Sequence, residues 1–418
     1  MDFLTSLAVI CLGGLLLGSL CARIKLPPLL GMLVVGIALG PYALNLIAPS
    51  LLSVSADLRQ LALIIILLRA GLNLNLRDLK KNGVSAVLLC FVPAVAEISA
   101  YLLFAPPILG LSGTEAAVLG CVMAAVSPAV VVPRMLRLKE TGYGTAEGIP
   151  DMIMTGASAD DVFVIVLFAS VTGMAAGGAF SPNIFWRVPL SVLLGIAAGT
   201  AVGCGFAAFV RKVHMRDSVK VILILSLSFL FVALENAVGQ TVPFSGLLSV
   251  ISFGAAFLAR HAACAGRLSE KFSRLWVFAE ILLFVLVGAE VDVRYALQSG
   301  GAILCVILIA LLVRMFGVFL CTLPSRLNGK ERLFCMIAYL PKATVQAAIG
   351  SVPLSMGLAC GRTVLTAAVL AILFTAPLGA FLTDLTYRKL LRKSPVSASA
   401  SAAQTLLLSG SQGLPLSD

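Results

Sequence analysis

The sequence predicts an all-α integral membrane protein of about 13 transmembrane helices, built as two inverted-topology repeats with crossed discontinuous helices. Three observations predict it. The 418 residues are 60% hydrophobic and only 12% charged, whereas charged residues make up about 25% of a soluble domain. Apolar runs recur along the chain, and the cations between them fall mostly on one side. The second half also echoes the first at a spacing of about 215 residues.

A helix needs roughly 20 apolar residues to cross the hydrocarbon core. Runs of that kind begin near residues 3, 28, 57, 83, 114, 150, 184, 217, 243, 272, 300, 330 and 362. The first ends at Cys21-Ala22-Arg23 without a small-x-small cleavage pattern, which predicts a retained helix and not a signal peptide. With the N-terminus outside, the cytoplasmic loops collect Arg23, Lys25, Arg77, Lys80, Lys81, Arg134, Arg137, Lys139, Arg211, Lys212, Arg216 and Lys220. They also collect Arg260, Arg267, Lys271, Arg274, Arg326, Lys330, Arg332, Arg388, Lys389, Arg392 and Lys393, so 23 of the 30 cations lie on one side. That asymmetry supports an odd number of spans. It also explains the net charge of +11 as a topology signal, with no nucleic acid implied. Residues 1–393 are expected to form a single transmembrane unit, and the Ser/Ala-rich residues 394–418 a disordered cytoplasmic tail.

Of the ten cysteines, Cys11, Cys90, Cys121, Cys204, Cys305, Cys321, Cys335 and Cys360 lie in or beside apolar runs, and no CxxC occurs. They are read as packing residues or free thiols. His214 and His261 stand among basic loop residues, which disfavours a His-based zinc centre or triad. No cofactor and no enzymatic activity are expected.

The echo has three parts in the same order. Leu26-Pro27-Pro28-Leu29-Leu30-Gly31 and a run containing Gly36 match Val242-Pro243-Phe244-Ser245-Gly246 and a run containing Gly254. The stretch around Gly71 matches that around Gly288, and Val126-Ser127-Pro128-Ala129 matches Leu340-Pro341-Lys342-Ala343. The matched spans are displaced by seven, an odd number, so the copies, approximately 26–175 and 242–386, are inverted in the membrane. Such repeats are a transporter architecture with its site near mid-membrane, at interrupted helices. Pro128 and Pro341 are the expected helix breaks, each removing a backbone donor in mid-span.

Five ionisable residues fall inside spans: Glu97, Asp160, Asp161, Arg314 and Lys342. Each costs at least ~2.5 kcal/mol at a span centre, so each is expected to face the protein interior. Glu97 and Arg314 occupy corresponding points of the two repeats, which favours a structural ion pair. Asp160 and Asp161 point about 100° apart on a helix, so they cannot both use one partner. The free carboxylate can hold either a proton or a small cation, which is sufficient chemistry for exchange. The small, polar Thr155-Gly156-Ala157-Ser158-Ala159 permits close approach and water access. Lys342 is expected either to neutralise the carbonyl ends of broken helices or to pair with Asp160. Ser127 is expected to lend an oxygen to the cation.

Ser127-Pro128, Ala159-Asp160-Asp161 and Tyr339-Leu340-Pro341-Lys342-Ala343-Thr344-Val345-Gln346-Ala347 resemble the cation:proton antiporter superfamily, in particular its NHA-type sodium/proton exchangers. The resemblance covers roughly residues 5–385. It implies the sodium/proton antiporter fold with interleaved core and dimer subdomains, a homodimer in lipid, and elevator-type exchange of Na+ or Li+ for protons. It implies Asp161 as the ion and proton carrier and Asp160 as its charge-paired neighbour. The site is expected to bind Na+ or Li+ through Asp161 and Asp160, with Ser127, Thr155 and Lys342 in support. Arg314 stands where electrogenic two-aspartate members usually carry lysine, which leaves one or two protons per cation open. The alternatives are a sodium-coupled organic-anion symporter and a K+/H+ antiporter. Compact length and short loops favour a bacterial inner membrane, with the C-terminus in the cytoplasm.

Overall fold

A computed structural model describes residues 2–73, 83–176, 184–238 and 242–394. The loop with Arg77, Lys80 and Lys81, and the tail from residue 395, lie outside the described residues. In chain order the helices are Phe3–Arg23 (α1), Pro28–Leu39 (α2), Pro49–Ser53 (α3), Ser55–Asn73 (α4), Gly83–Leu89 (α5), Val92–Leu109 (α6), Gly113–Met123 (α7), Pro128–Thr141 (α8) and Ile149–Ala176 (α9). They continue with Ile184–Lys212 (α10), Asp217–Val238 (α11), Gly246–Arg260 (α12), Ala262–Ala289 (α13), Val293–Thr322 (α14), Gly329–Ala338 (α15), Thr344–Ile349 (α16), Val352–Ser355 (α17) and Gly361–Leu390 (α18).

Nine helical stretches among the described residues are long and apolar enough to cross a membrane. The other four expected spans fall on α2, α12, α4 and the interrupted α15/α16. The apolar α2 and α12 have only 12 and 15 residues, and α4 carries Asp57, Arg59 and Arg69. Among the described residues, length and composition alone therefore pick out nine of the thirteen expected crossings. The protein is a multi-pass membrane protein, and its outer helices present apolar side chains such as Leu4, Leu16 and Leu297 where lipid would lie.

The helices pack as two groups. One contains α1, α2, α4 and α10 to α13; the other contains α5 to α9 and α14 to α18. The first group is closed by glycines. A Cβ at Gly199 would overlap the carbonyl of Ser249, and Gly195 and Gly203 meet Ser245 and Phe253 in the same way, so α10 and α12 touch backbone to backbone. Small residues one turn apart are the means by which helices associate when lipid competes for every apolar surface. The echo between the halves is visible in these seams. Gly36 of α2 packs on Gly288 of α13, and Gly254 of α12, its counterpart, packs on Gly71 of α4.

The second group contains both interrupted elements, and these too begin alike. Ser112 and Glu115 form a capping box at α7, and Asn328 and Glu331 form one at α15. Neither helix runs on: α7 stops at Met123 and resumes as α8 at Pro128, and α15 stops at Ala338 and resumes as α16 at Thr344. Pro128 is not a mid-helix interruption as expected. It starts α8, where its fixed φ suits the first turn and no intrahelical donor is lost. Contacts between the two groups run mainly through α9 and α16.

Candidate functional site

The interruption leaves the last carbonyls of α7 without intrahelical partners. Those of Val122 and Met123, and of Ala124 and Ala125 just beyond the helix, receive side-chain donors from the other half of the chain. Gln346 Nε2 lies 3.3 Å from the Val122 oxygen and 2.9 Å from that of Ala125. Lys342 Nζ donates to Met123 at 2.6 Å, and Arg314 Nη1 donates to Ala124. The two breaks also join directly, since the Ser127 N–H donates to the Pro341 carbonyl at 2.8 Å. Thr375 of α18 accepts the Lys342 N–H at 2.9 Å.

All five intramembrane charges gather around this crossing. Arg314 is fully buried and donates to Glu97 Oε2 at 2.7 Å, to Asp160 Oδ2 at 3.0 Å and to the Tyr339 carbonyl at 3.1 Å. Its guanidinium lies 5.7 Å from the centroid of the Tyr339 ring. Lys342 Nζ reaches the same Glu97 oxygen at 2.5 Å. Glu97 thus holds both cations, while Asp160 is held by Arg314 and by the Val126 N–H at 2.8 Å. The expected pairing of Lys342 with Asp160 is not formed. Lys342 instead takes the other role considered for it, covering a carbonyl at a helix break.

Asp161 stands apart. It is half-buried beside the fully buried Asp160, and among the described residues it has no hydrogen-bond or ion-pair partner. Its Oδ1, Asp160 Oδ1 and Ser127 Oγ are three buried oxygens with no donor. The two carboxylates are neighbours on α9, and Ser127 follows the residue whose N–H caps Asp160. Hard oxygens with spare lone pairs are what a small cation or a proton requires. Thr155 lies six residues before Asp161, about 120° round α9, so the helix turns it away from the Asp161 side.

A family model described as sodium/hydrogen exchanger, transmembrane, matches residues 7–386. The chain belongs to the sodium/hydrogen exchanger family. It is 38% identical over 385 residues to mouse sodium/hydrogen exchanger 9B2, covering 88% of this chain and 69% of that protein. The human 9B2 exchanger is also 38% identical, with 91% and 73% covered. Human sodium/hydrogen exchanger 9B1 is 34% identical, with 88% and 73% covered. The fold matches the structure of the sodium proton antiporter MjNhaP1 from Methanocaldococcus jannaschii at pH 8, with a TM-score of 0.79 at 20% identity over 93% of this chain and 99% of that one.

The geometry adds residues of this exchanger family member to which the sequence assigned no role. Gln346 covers the end of α7, Thr375 caps the second break, and Tyr339 packs its ring under Arg314. A glutamine in an otherwise apolar stretch, four residues after Lys342, is the signal that could have drawn attention to the first, though not to its partners. Nothing in the sequence singles out Thr375. The Tyr339 hydroxyl is buried against α9, where a Cβ at Gly156 would overlap it.

Proposed function

We propose that the protein exchanges one monovalent cation, Na+ or Li+, for one proton across the membrane, with Asp161 holding each in turn. The observation that carries this is the unpartnered Asp161 carboxylate at the crossing of two interrupted helices. The charge balance of the cluster supports it. Glu97, Asp160 and Asp161 bring three negative charges against two positive ones on Arg314 and Lys342, and the excess falls on the group without a partner. A single proton or a single monovalent cation neutralises it, so 1:1 exchange carries no net charge. Asp160 and Glu97 are each pinned by a buried cation, which disfavours either of them as a second proton carrier.

The position of α9 supports an elevator-type movement, in which the group of helices carrying the site slides against the glycine-packed group. Asp160 and Asp161 lie on one of the two elements through which those groups mainly touch. In the same proposal the first group forms the dimer subdomain of a homodimer in lipid. The N-terminus lies outside and the C-terminus in the cytoplasm of a bacterial inner membrane, as the cation asymmetry favours.

Proteoliposomes with an imposed ΔpH test the proposal. Addition of Na+ or Li+ is expected to dissipate ΔpH at a rate that a valinomycin/K+ potential leaves unchanged. Dissipation by K+ alone would favour the K+/H+ alternative. If no cation moves protons while an organic anion enters with sodium, the protein is a symporter and the proposal fails.

A further inference from the structure

We infer that Gln346 is a positioning residue for exchange: by holding the peptide group between Ala125 and Val126, it keeps Asp160 capped and leaves Asp161 as the exchanging carboxylate. This rests on the assignment of Asp161 made above.

Gln346 is fully buried in α16. Its Nε2 lies 2.9, 3.3 and 3.4 Å from the carbonyl oxygens of Ala125, Val122 and Met123. A neighbourhood made of acceptors fixes which end of the amide faces α7, because only the NH2 group can donate. The shortest of these contacts is to Ala125. That carbonyl and the Val126 N–H belong to one planar peptide group and point in opposite directions. The N–H end donates to Asp160 Oδ2 at 2.8 Å. Gln346 and Asp160 therefore grip opposite ends of one rigid plate. The peptide lies in the unwound stretch between α7 and α8, where no helical ladder holds it. Without the amide, the plate is held at its N–H end alone and can tilt between the neighbouring peptides. Asp160 then loses a donor, the Ala125 oxygen swings toward the carboxylates, and Asp160 competes with Asp161 for the incoming ion.

Two substitutions separate this role from packing. Gln346→Met keeps the volume and removes the donor. It is expected to raise the cation KM roughly tenfold, the scale of one lost hydrogen bond in a charged site, with maximal rate changed by no more than about twofold. Gln346→Glu restores a donor only while the new carboxyl is protonated; once ionised, it repels the carbonyl oxygens. Its exchange is expected to approach that of the wild type at acid pH and to collapse as pH rises, on a profile the wild type lacks. The collapse is expected to reverse on return to acid pH with the folded fraction constant across the range, which separates it from a folding defect. A Gln346→Met protein with wild-type KM together with a Gln346→Glu protein with the wild-type pH profile would overturn the inference, as would loss of maximal rate alone in both. Failure of the Asp161 assignment is read separately, from a wild type that exchanges nothing or an Asp161→Asn protein that still exchanges.

Discussion

The two groups of helices solve the same problem, cohesion in lipid, by opposite means. The group built on α4, α10, α12 and α13 brings backbones together at glycines, as where Gly36 meets Gly288 and Gly71 meets Gly254. Its clearest ion pairs lie near helix ends, such as Arg59 with Glu290 at 2.5 Å and Arg267 with Asp217 at 2.9 Å. The other group carries Glu97, Asp160, Asp161, Arg314 and Lys342 in its interior, and spends two helix interruptions in arranging them. Close packing needs no ionisable group. A cluster with three acids and two bases is costly in hydrocarbon, and because one of those acids has no partner the proposed exchange chemistry falls in the second group.

Substitutions should divide along the same line. The largest expected effect is that of Asp161→Asn, which brings cation-driven ΔpH dissipation down to the leak of empty liposomes. Its melting temperature is expected to be unchanged or raised, because no partner is lost. Next is Arg314→Leu, which leaves Asp160 without a cation and uncovers the carbonyls of Ala124 and Tyr339, while Glu97 keeps Lys342; breaking a buried pair in this way costs about 3–5 kcal/mol, read as a fall in thermal stability in detergent. Adding Asp160→Asn, which removes the carboxylate left unpaired, is expected to recover part of that loss.

In the glycine-packed group, Gly199→Val is expected to cost about 1–3 kcal/mol by overpacking. Exchange per folded molecule is expected to stay near that of the wild type. Gly36→Val and Gly254→Val, at matched points of the repeat, should melt alike; a large difference between them would break the symmetry between the two seams. Smallest is Arg274→Ala, which removes an exposed one-turn pair with Glu270 and is expected to change stability by about 0.5 kcal/mol or less.

How far the sequence reveals this depends on the kind of signal. A charge inside an apolar run is conspicuous, so the five ionisable residues, the Asp160–Asp161 pair and the matched places of Glu97 and Arg314 could all be read directly. The choice of partner could not. Lys342 meets Glu97 and Met123 across more than 200 residues, and that choice follows from how α7 and α15 cross, which no local pattern encodes. The same holds for the Gln346 cover over α7 and for Thr375. The sequence reading includes α2, α4, α12 and the interrupted α15/α16, which length and composition of single helices do not pick out as crossings. Pro128 marks the break but from its far side: the unwound stretch is 124–127, and Pro128 opens the helix that follows.

The most direct test follows protons released by the purified, weakly buffered protein when Na+ or Li+ is added, near the pH of half-maximal exchange. If one carboxylate serves both ions, cation binding expels protons by linkage, up to about one per protomer. Wild type and Gly199→Val are expected to release them, and Asp161→Asn to release none. Cation binding without proton release in the wild type, or an Asp161→Asn protein that releases as the wild type does, would contradict a shared carrier at Asp161.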